Sequence, residues 1–237
     1  MKNKKIYFCF AYSTFLFILC MVIFYCMTIN YNANVFPNIV SSIVELQCQN
    51  DEGLTSYGTA VCIDNEGIYI TNAHVLQYTE NNIKKNFNKL SLRFTNEESY
   101  FSAEIINVDE GYDLALIKSI EKNNYHKSIK FSKSDSIKTG DNVYACGNSQ
   151  NQGISISKGL ISKSRVVIEL ANKSYEVIAT DAYFSEGCSG GALINKKSEL
   201  IGITTFRLKD SIGNIIYGMG YAIPIDIVKD YIKLRMN

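Results

Sequence analysis

Between Ile43 and Ala222 this chain consists of short runs rich in Ile, Val, Tyr and Phe, broken at close intervals by Gly, Asn, Asp and Ser. Runs of that length are too short to bury one face of a helix, but each suits a strand between turns. The pattern predicts an all-β body. Strands are expected near Ile43–Gln47, Gly58–Ile63, Ile68–Thr71, Leu90–Phe94, Phe101–Val108 and Asp113–Lys118, enough to close one small barrel. The polar stretch Glu121–Ser136 lacks periodicity and reads as the connection to a second set. That set is expected near Asn142–Cys146, Gly153–Ser162, Arg165–Leu170, Tyr175–Thr180, Gly191–Ile194, Leu200–Thr205 and Ile216–Ala222. Lys173-Ser174 and Lys196-Lys197 read as turns between strands. Past Pro224 the spacing of Ile225, Val228, Tyr231 and Ile232 becomes helical, with Asp226 placed to cap, so a terminal helix is predicted.

The amino terminus follows another rule. Ile6 to Ile29 carries no charge over 24 positions, long enough for a membrane-spanning helix of about 20 residues. A cleaved signal would show a shorter apolar region and a small-residue cleavage site, and neither is evident. Lys2, Lys4 and Lys5 precede the run and no charge follows it before Glu45, which keeps the amino terminus in the cytoplasm. A single-pass signal anchor over residues 1–36, including an extended link around Asn30–Asn38, is therefore expected. The body from Pro37 onward would lie outside the cell membrane, with a first barrel over about 37–120 and a second barrel and helix over about 137–237.

With 24 basic and 23 acidic side chains, no net charge argues for a nucleic-acid partner. Cys9, Cys20 and Cys26 fall in the apolar run; Cys48, Cys62, Cys146 and Cys188 fall beyond it. Four such cysteines allow three pairings. Cys48 and Cys62 sit on successive predicted strands, where a bridge and two buried thiols are both compatible with the pattern.

Chemistry enters at Gly187-Cys188-Ser189-Gly190-Gly191. Glycines around a serine allow a tight turn that brings backbone amides up to a developing oxyanion. A serine hydroxyl needs a base, and the base needs an orienting group. Ile70-Thr71-Asn72-Ala73-His74 and Tyr112-Asp113-Leu114-Ala115 supply both, and His, Asp, Ser is one of the chain orders in which such a triad occurs. His74 is then the general base, Asp113 its orienter, Ser189 the nucleophile, and the amides of Gly187 and Ser189 the oxyanion donors. Cys188 is out of register for attack, because the nucleophile directly precedes the glycine pair. His126 falls in the polar connection and is expected to be solvated, and Asp181 is expected to be a structural carboxylate.

Taken in order, Gly58-Thr59-Ala60-Val61, Thr71-Asn72-Ala73-His74-Val75, Asp113-Leu114-Ala115-Leu116, Gly140-Asp141, Gly147-Asn148, Thr180-Asp181-Ala182, Gly187–Gly191, Gly202-Ile203 and Gly220–Pro224 resemble the trypsin-like serine endopeptidases, in their HtrA (Deg) branch. The resemblance implies two six-stranded antiparallel barrels with the site between them, peptide-bond hydrolysis through an acyl-enzyme, protein or peptide substrates, and no metal or cofactor. It also implies a pocket for the residue before the scissile bond, walled by Tyr183, Thr205 and Met219, with no acidic base and so a preference for small or apolar side chains. The chain departs from the branch at Cys188, where Asn is usual, and at Ala192, where Pro is usual. The branch usually continues into a peptide-binding PDZ domain, whereas 13 residues follow Pro224, so no such domain is expected. Trimers are common in the branch, but no sequence feature derives a homo-oligomer. A tethered peptide-binding or chaperone-like module without turnover is the rival function.

Overall fold

The structure, a computed structural model, describes residues 12–26, 39–95, 97–121, 126–133, 137–170, 173–209 and 215–236. The chain separates into two units, Met1–Phe36 and Pro37–Asn237.

In the first unit residues 12–26 form helix α1, whose Phe15, Phe17, Ile18 and Phe24 are exposed. Among the described residues no helix is long and apolar enough to cross a membrane. Fifteen helical residues rise about 22 Å, short of the roughly 30 Å of a hydrocarbon core. The expected span over Ile6–Ile29 is thus not seen whole. Its two ends, Lys2, Lys4, Lys5, Cys9 and the Asn30–Asn38 link lie outside the described residues.

The second unit begins with a barrel. Its strands are β1 (Ile43–Gln49), β2 (Thr55–Cys62), β3 (Ile68–Thr71), then, after the small hairpin β4 (Gln77–Glu80) and β5 (Ile83–Asn86), β6 (Lys89–Phe94), β7 (Phe101–Asp109) and β8 (Leu114–Ser119). They close in the order β1-β2-β3-β8-β7-β6, each pair antiparallel. Leu46, Ala60, Tyr69, Leu92 and Ile117 fill the interior with almost no exposure, as the alternation of the sequence requires. Positive φ angles at Asn81 (50°) and Asn82 (63°) turn the β4–β5 hairpin, a pair of left-handed residues that asparagine tolerates.

The remaining strands are β9 (Lys130–Phe131), β10 (Asn142–Asn148), β11 (Ile154–Leu170), β12 (Lys173–Thr180), β13 (Ala192–Asn195), β14 (Glu199–Lys209) and β15 (Ile215–Pro224). Among the described residues they form a seven-stranded sheet, β13-β10-β11-β12-β15-β14-β9, with a further pairing between β13 and β14. Three expectations are corrected here. The polar connection contributes a strand, because Lys130 and Phe131 add in parallel to β14. Gly153–Ser162 and Arg165–Leu170 are one strand, kept continuous through two register shifts against β12. Lys173 and Ser174 belong to β12 rather than to a turn, while Lys196 and Lys197 do turn the chain.

The closing helix α2 (Ile225–Met236) buries Ile225, Val228 and Tyr231. Tyr231 donates its hydroxyl to Asn107 Oδ1 at 2.9 Å and Arg235 pairs with Asp109 at 2.8 Å, so the helix is fastened to β7 of the barrel. His126 is also corrected: it is buried, not solvated. Its Nδ1 lies 2.7 Å from Tyr69 Oη, with Phe94 and Phe101 rings against it. Gly67 makes the room, since a Cβ there would sit 2.9 Å from Nε2.

All four cysteines of this unit are free and buried. Burial pushes the Cys48 and Cys62 thiols up to about 12. An unfolded thiol ionises near 8.5, so the native state is the more protonated one between these values, and stability falls as pH rises through that window. The urea midpoint should therefore be lower at pH 10.5 than at pH 8, and a Cys48→Ala, Cys62→Ala double variant should show a flatter decline.

Candidate active site

β3 ends at Thr71, and one 3-10 turn, Ala73–Val75, buries its flanking residues in the barrel while leaving the His74 side chain 48% exposed. Asp113, just before β8, is buried beneath it with φ at +53°, a left-handed conformation that aspartate adopts more readily than most residues. One side-chain and one main-chain amide fix that conformation: Asp113 O accepts from Asn72 Nδ2 at 2.9 Å and from Ala73 N at 3.2 Å. The carboxylate accepts from His74 N at 3.1 Å, from His74 Nδ1 at 2.9 and 3.0 Å, and from Thr205 Oγ1 at 2.6 Å. A carboxylate at Nδ1 selects the tautomer protonated there, which leaves Nε2 with its lone pair free.

Ser189 lies on a turn that only glycines can make. Gly187 has φ +87° and Gly190 φ +82°. A Cβ on Gly190 would stand 2.1 Å from Thr71 Oγ1 and 2.2 Å from Thr59 O. Thr59 of β2 grips the same turn, donating its amide to Ser189 O at 2.9 Å and its hydroxyl to Gly187 O at 2.7 Å. The amides of Cys188, Gly190 and Gly191 each donate to a backbone carbonyl. Among the described residues those of Gly187 and Ser189 donate to no backbone carbonyl. Gly190→Ala should cost about 3–5 kcal/mol through overlap and left-handed strain, read as a lowered thermal midpoint.

Ser189 Oγ donates to Thr205 O at 2.7 Å, and among the described residues no hydrogen bond joins it to His74. The structure therefore brings His74 and Asp113 together directly and links Ser189 to them through Thr205, whose hydroxyl donates to the Asp113 carboxylate and whose carbonyl accepts from Ser189 Oγ. A serine hydroxyl leaves such a position by rotation about one staggered bond. Cys188 points the other way, into the core of the second sheet, where burial raises its thiol and keeps it neutral.

Of the residues expected to wall a pocket, Thr205 is buried with its hydroxyl on Asp113; Tyr183 and Met219 are exposed, and Met219 Sδ accepts from Tyr221 Oη at 3.2 Å. The Phe184 ring lies over Gly220, where a Cβ would meet it at 2.3 Å. An open cavity of about 230 Å³ stands beside His74, lined by Tyr175, Phe206, Lys84, Lys173 and Glu110 besides the dyad. Sequence reading missed these five, and missed Thr205's part in holding Asp113. The Asn81-Asn82 turn that presents Lys84 was the one available signal. Asp181 accepts from Leu160 N at 2.6 Å, a structural role.

Residues 58–203 match the model of the trypsin-like peptidase domain. A probable periplasmic serine endoprotease, DegP-like, of Buchnera aphidicola subsp. Baizongia pistaciae is 38% identical over 190 residues, 78% of this chain and 37% of that protein. Serine endoprotease DegS of Haemophilus influenzae is 31% identical over 210 residues, 87% of this chain and 56% of that protein. The chain thus spans between about a third and just over half of these curated relatives. Among solved structures, the HtrA-type protease AlgW with tripeptide superposes with a TM-score of 0.73 at 28% identity, covering 85% of this chain and 62% of that one.

Proposed function

Because the chain belongs to the trypsin-like peptidase family, with HtrA-type serine proteases as its relatives, we propose that it is a serine endopeptidase acting on extracytoplasmic proteins or peptides through Ser189, His74 and Asp113. The observation that carries this reading is a single carboxylate, Asp113, that accepts from His74 Nδ1 and from the same Thr205 whose carbonyl holds Ser189 Oγ.

In this reading Ser189 Oγ attacks the scissile carbonyl carbon as its proton passes to His74 Nε2. The carbonyl oxygen gains the negative charge and is held by the Gly187 and Ser189 amides. Collapse breaks the C–N bond, and His74 returns the proton to the leaving amine. Water, deprotonated by His74, then releases the acid from the acyl-enzyme. Asp113 stays ionised throughout and stabilises the transient imidazolium. The second sheet, with its additional β13–β14 pairing, is the counterpart of the first barrel in this two-barrel scheme.

The charge-free run Ile6–Ile29 after three lysines supports a single-pass anchor that holds the domain outside the membrane. Carbonate washing should leave the full chain in the membrane fraction, and its release would remove the anchor from this reading.

The rival is a tethered peptide-binding module without turnover. It is favoured by one observation: Ser189 Oγ is engaged by Thr205 O rather than by His74. A fluorophosphonate probe applied to the full chain, with and without an unfolded protein substrate, separates the two. Labelling at Ser189 is expected; a folded chain that labels under neither condition would assign the binder.

A further inference from the structure

The cavity beside His74 has aromatic walls and a charged rim. Tyr175 on β12 and Phe206 on β14 meet edge to face at 5.9 Å between ring centres and offer an apolar lining. On the rim Lys84 of β5 and Lys173 at the start of β12 both reach Glu110, in the turn after β7, at 2.8 and 3.5 Å. Both ammonium groups thus share one carboxylate oxygen, Glu110 Oε2. Lys84 sits at full hydrogen-bond distance, whereas Lys173 sits at the long limit, with its other contact, Glu110 O, at 3.4 Å. Gln77 Nε2 adds a neutral donor to Oε1 at 3.4 Å.

Charge decides what such a cavity takes. The hydrogen bond from Lys84, foremost, keeps the Glu110 carboxyl below its ordinary range and therefore ionised. On the rim two cations face one anion, Glu110, and the cavity as a whole reaches charge balance only through Asp113 at its inner end. Asp113, the other carboxylate at the cavity, already accepts from His74, from a main-chain amide and from Thr205. A neutral occupant would cover the Lys173 ammonium without replacing its water, and a basic one would be repelled; an anionic tip would pair with it. The rings suit a methylene stem beneath that tip.

We propose that this cavity selects, at one position flanking the scissile bond, a substrate side chain with an aliphatic stem and a terminal carboxylate, glutamate above all. Lys173 and Lys84 are then the specificity-determining cations and Glu110 the counter-charge that tempers them. The proposal rests on the endopeptidase reading above.

The test uses the full chain in detergent and internally quenched peptides in which Glu, Gln, Leu or Lys is moved through three positions on either side of one cleavage site. At one position Glu should exceed Gln by about tenfold in kcat/KM, with Lys poorest. Lys173→Gln should cut that ratio to about twofold, Glu110→Gln should raise it, and Lys173→Glu should invert it toward Lys. High salt should compress all these ratios, since the rim is solvent-exposed. Cleavage with equal Glu and Gln ratios in wild type, Lys173→Gln and Glu110→Gln overturns the selectivity and leaves the peptidase reading intact. Should no peptide be cleaved and Ser189 stay unlabelled, binding of the same peptides to the Ser189→Ala chain is read by fluorescence anisotropy. A Glu preference lost in Lys173→Gln would keep the pocket while the peptidase reading falls, and equal binding would overturn both.

Discussion

Ser189→Ala is expected to lower peptide turnover by about 10⁶-fold, the scale at which removal of a nucleophile leaves only binding and oxyanion stabilisation. The fold should hardly notice. Ser189 Oγ makes one hydrogen bond, to Thr205 O, and a neutral bond of that kind is worth about 1 kcal/mol. Quenched-peptide hydrolysis and a thermal melt on the same preparation check both halves of the expectation. A variant retaining a hundredth of wild-type turnover would assign the attack to another group. Cys188 is the nearest alternative in sequence, yet its thiol is buried in the core and held neutral.

Asp113→Asn is expected to reduce turnover by about 10⁴-fold with little loss of fold. Asparagine tolerates the +53° φ of this position about as well as aspartate, so the bonds from Asn72 and Ala73 to its main-chain carbonyl survive. What is lost is the charge beside Nδ1 and the acceptor that fixes the tautomer. An amide there can present its NH₂ to the ring and draw the proton to Nε2, where it blocks proton transfer. A fall in kcat with KM nearly constant is the expected signature, because the interaction strengthens as the imidazolium forms. A parallel rise in KM with kcat unchanged would instead assign Asp113 to substrate binding.

The first barrel was legible because its strands obey one rule. Ile68–Thr71 was read with its observed limits, and the other five within a few residues, since each carries apolar residues that the interior demands. The β4–β5 hairpin escaped because Lys84, Lys85 and their neighbours point to water and show no alternation. β9 escaped because two residues have no period at all. His74 and Asp113 could be paired from chain order, whereas Thr205's role could not. A threonine in an apolar strand looks the same whether its hydroxyl caps a carboxylate or satisfies a carbonyl, and only the register of β14 within its own sheet decides. The same limit misplaced His126: polarity along the connection said water, while the hole left by Gly67 and the hydroxyl of Tyr69 drew the ring inside.

Thr205 stands 92 positions from Asp113 and 16 from Ser189, yet it touches both with its own few atoms. Such a joint behaves like a fuse in a circuit. A slip of one residue in β14 would turn the hydroxyl to the opposite face of its sheet and uncouple carboxylate and serine together, and it would carry the buried Leu200, Ile201 and Ile203 out of the interior as well. On warming, the link between the two groups and the second core should therefore fail in one step.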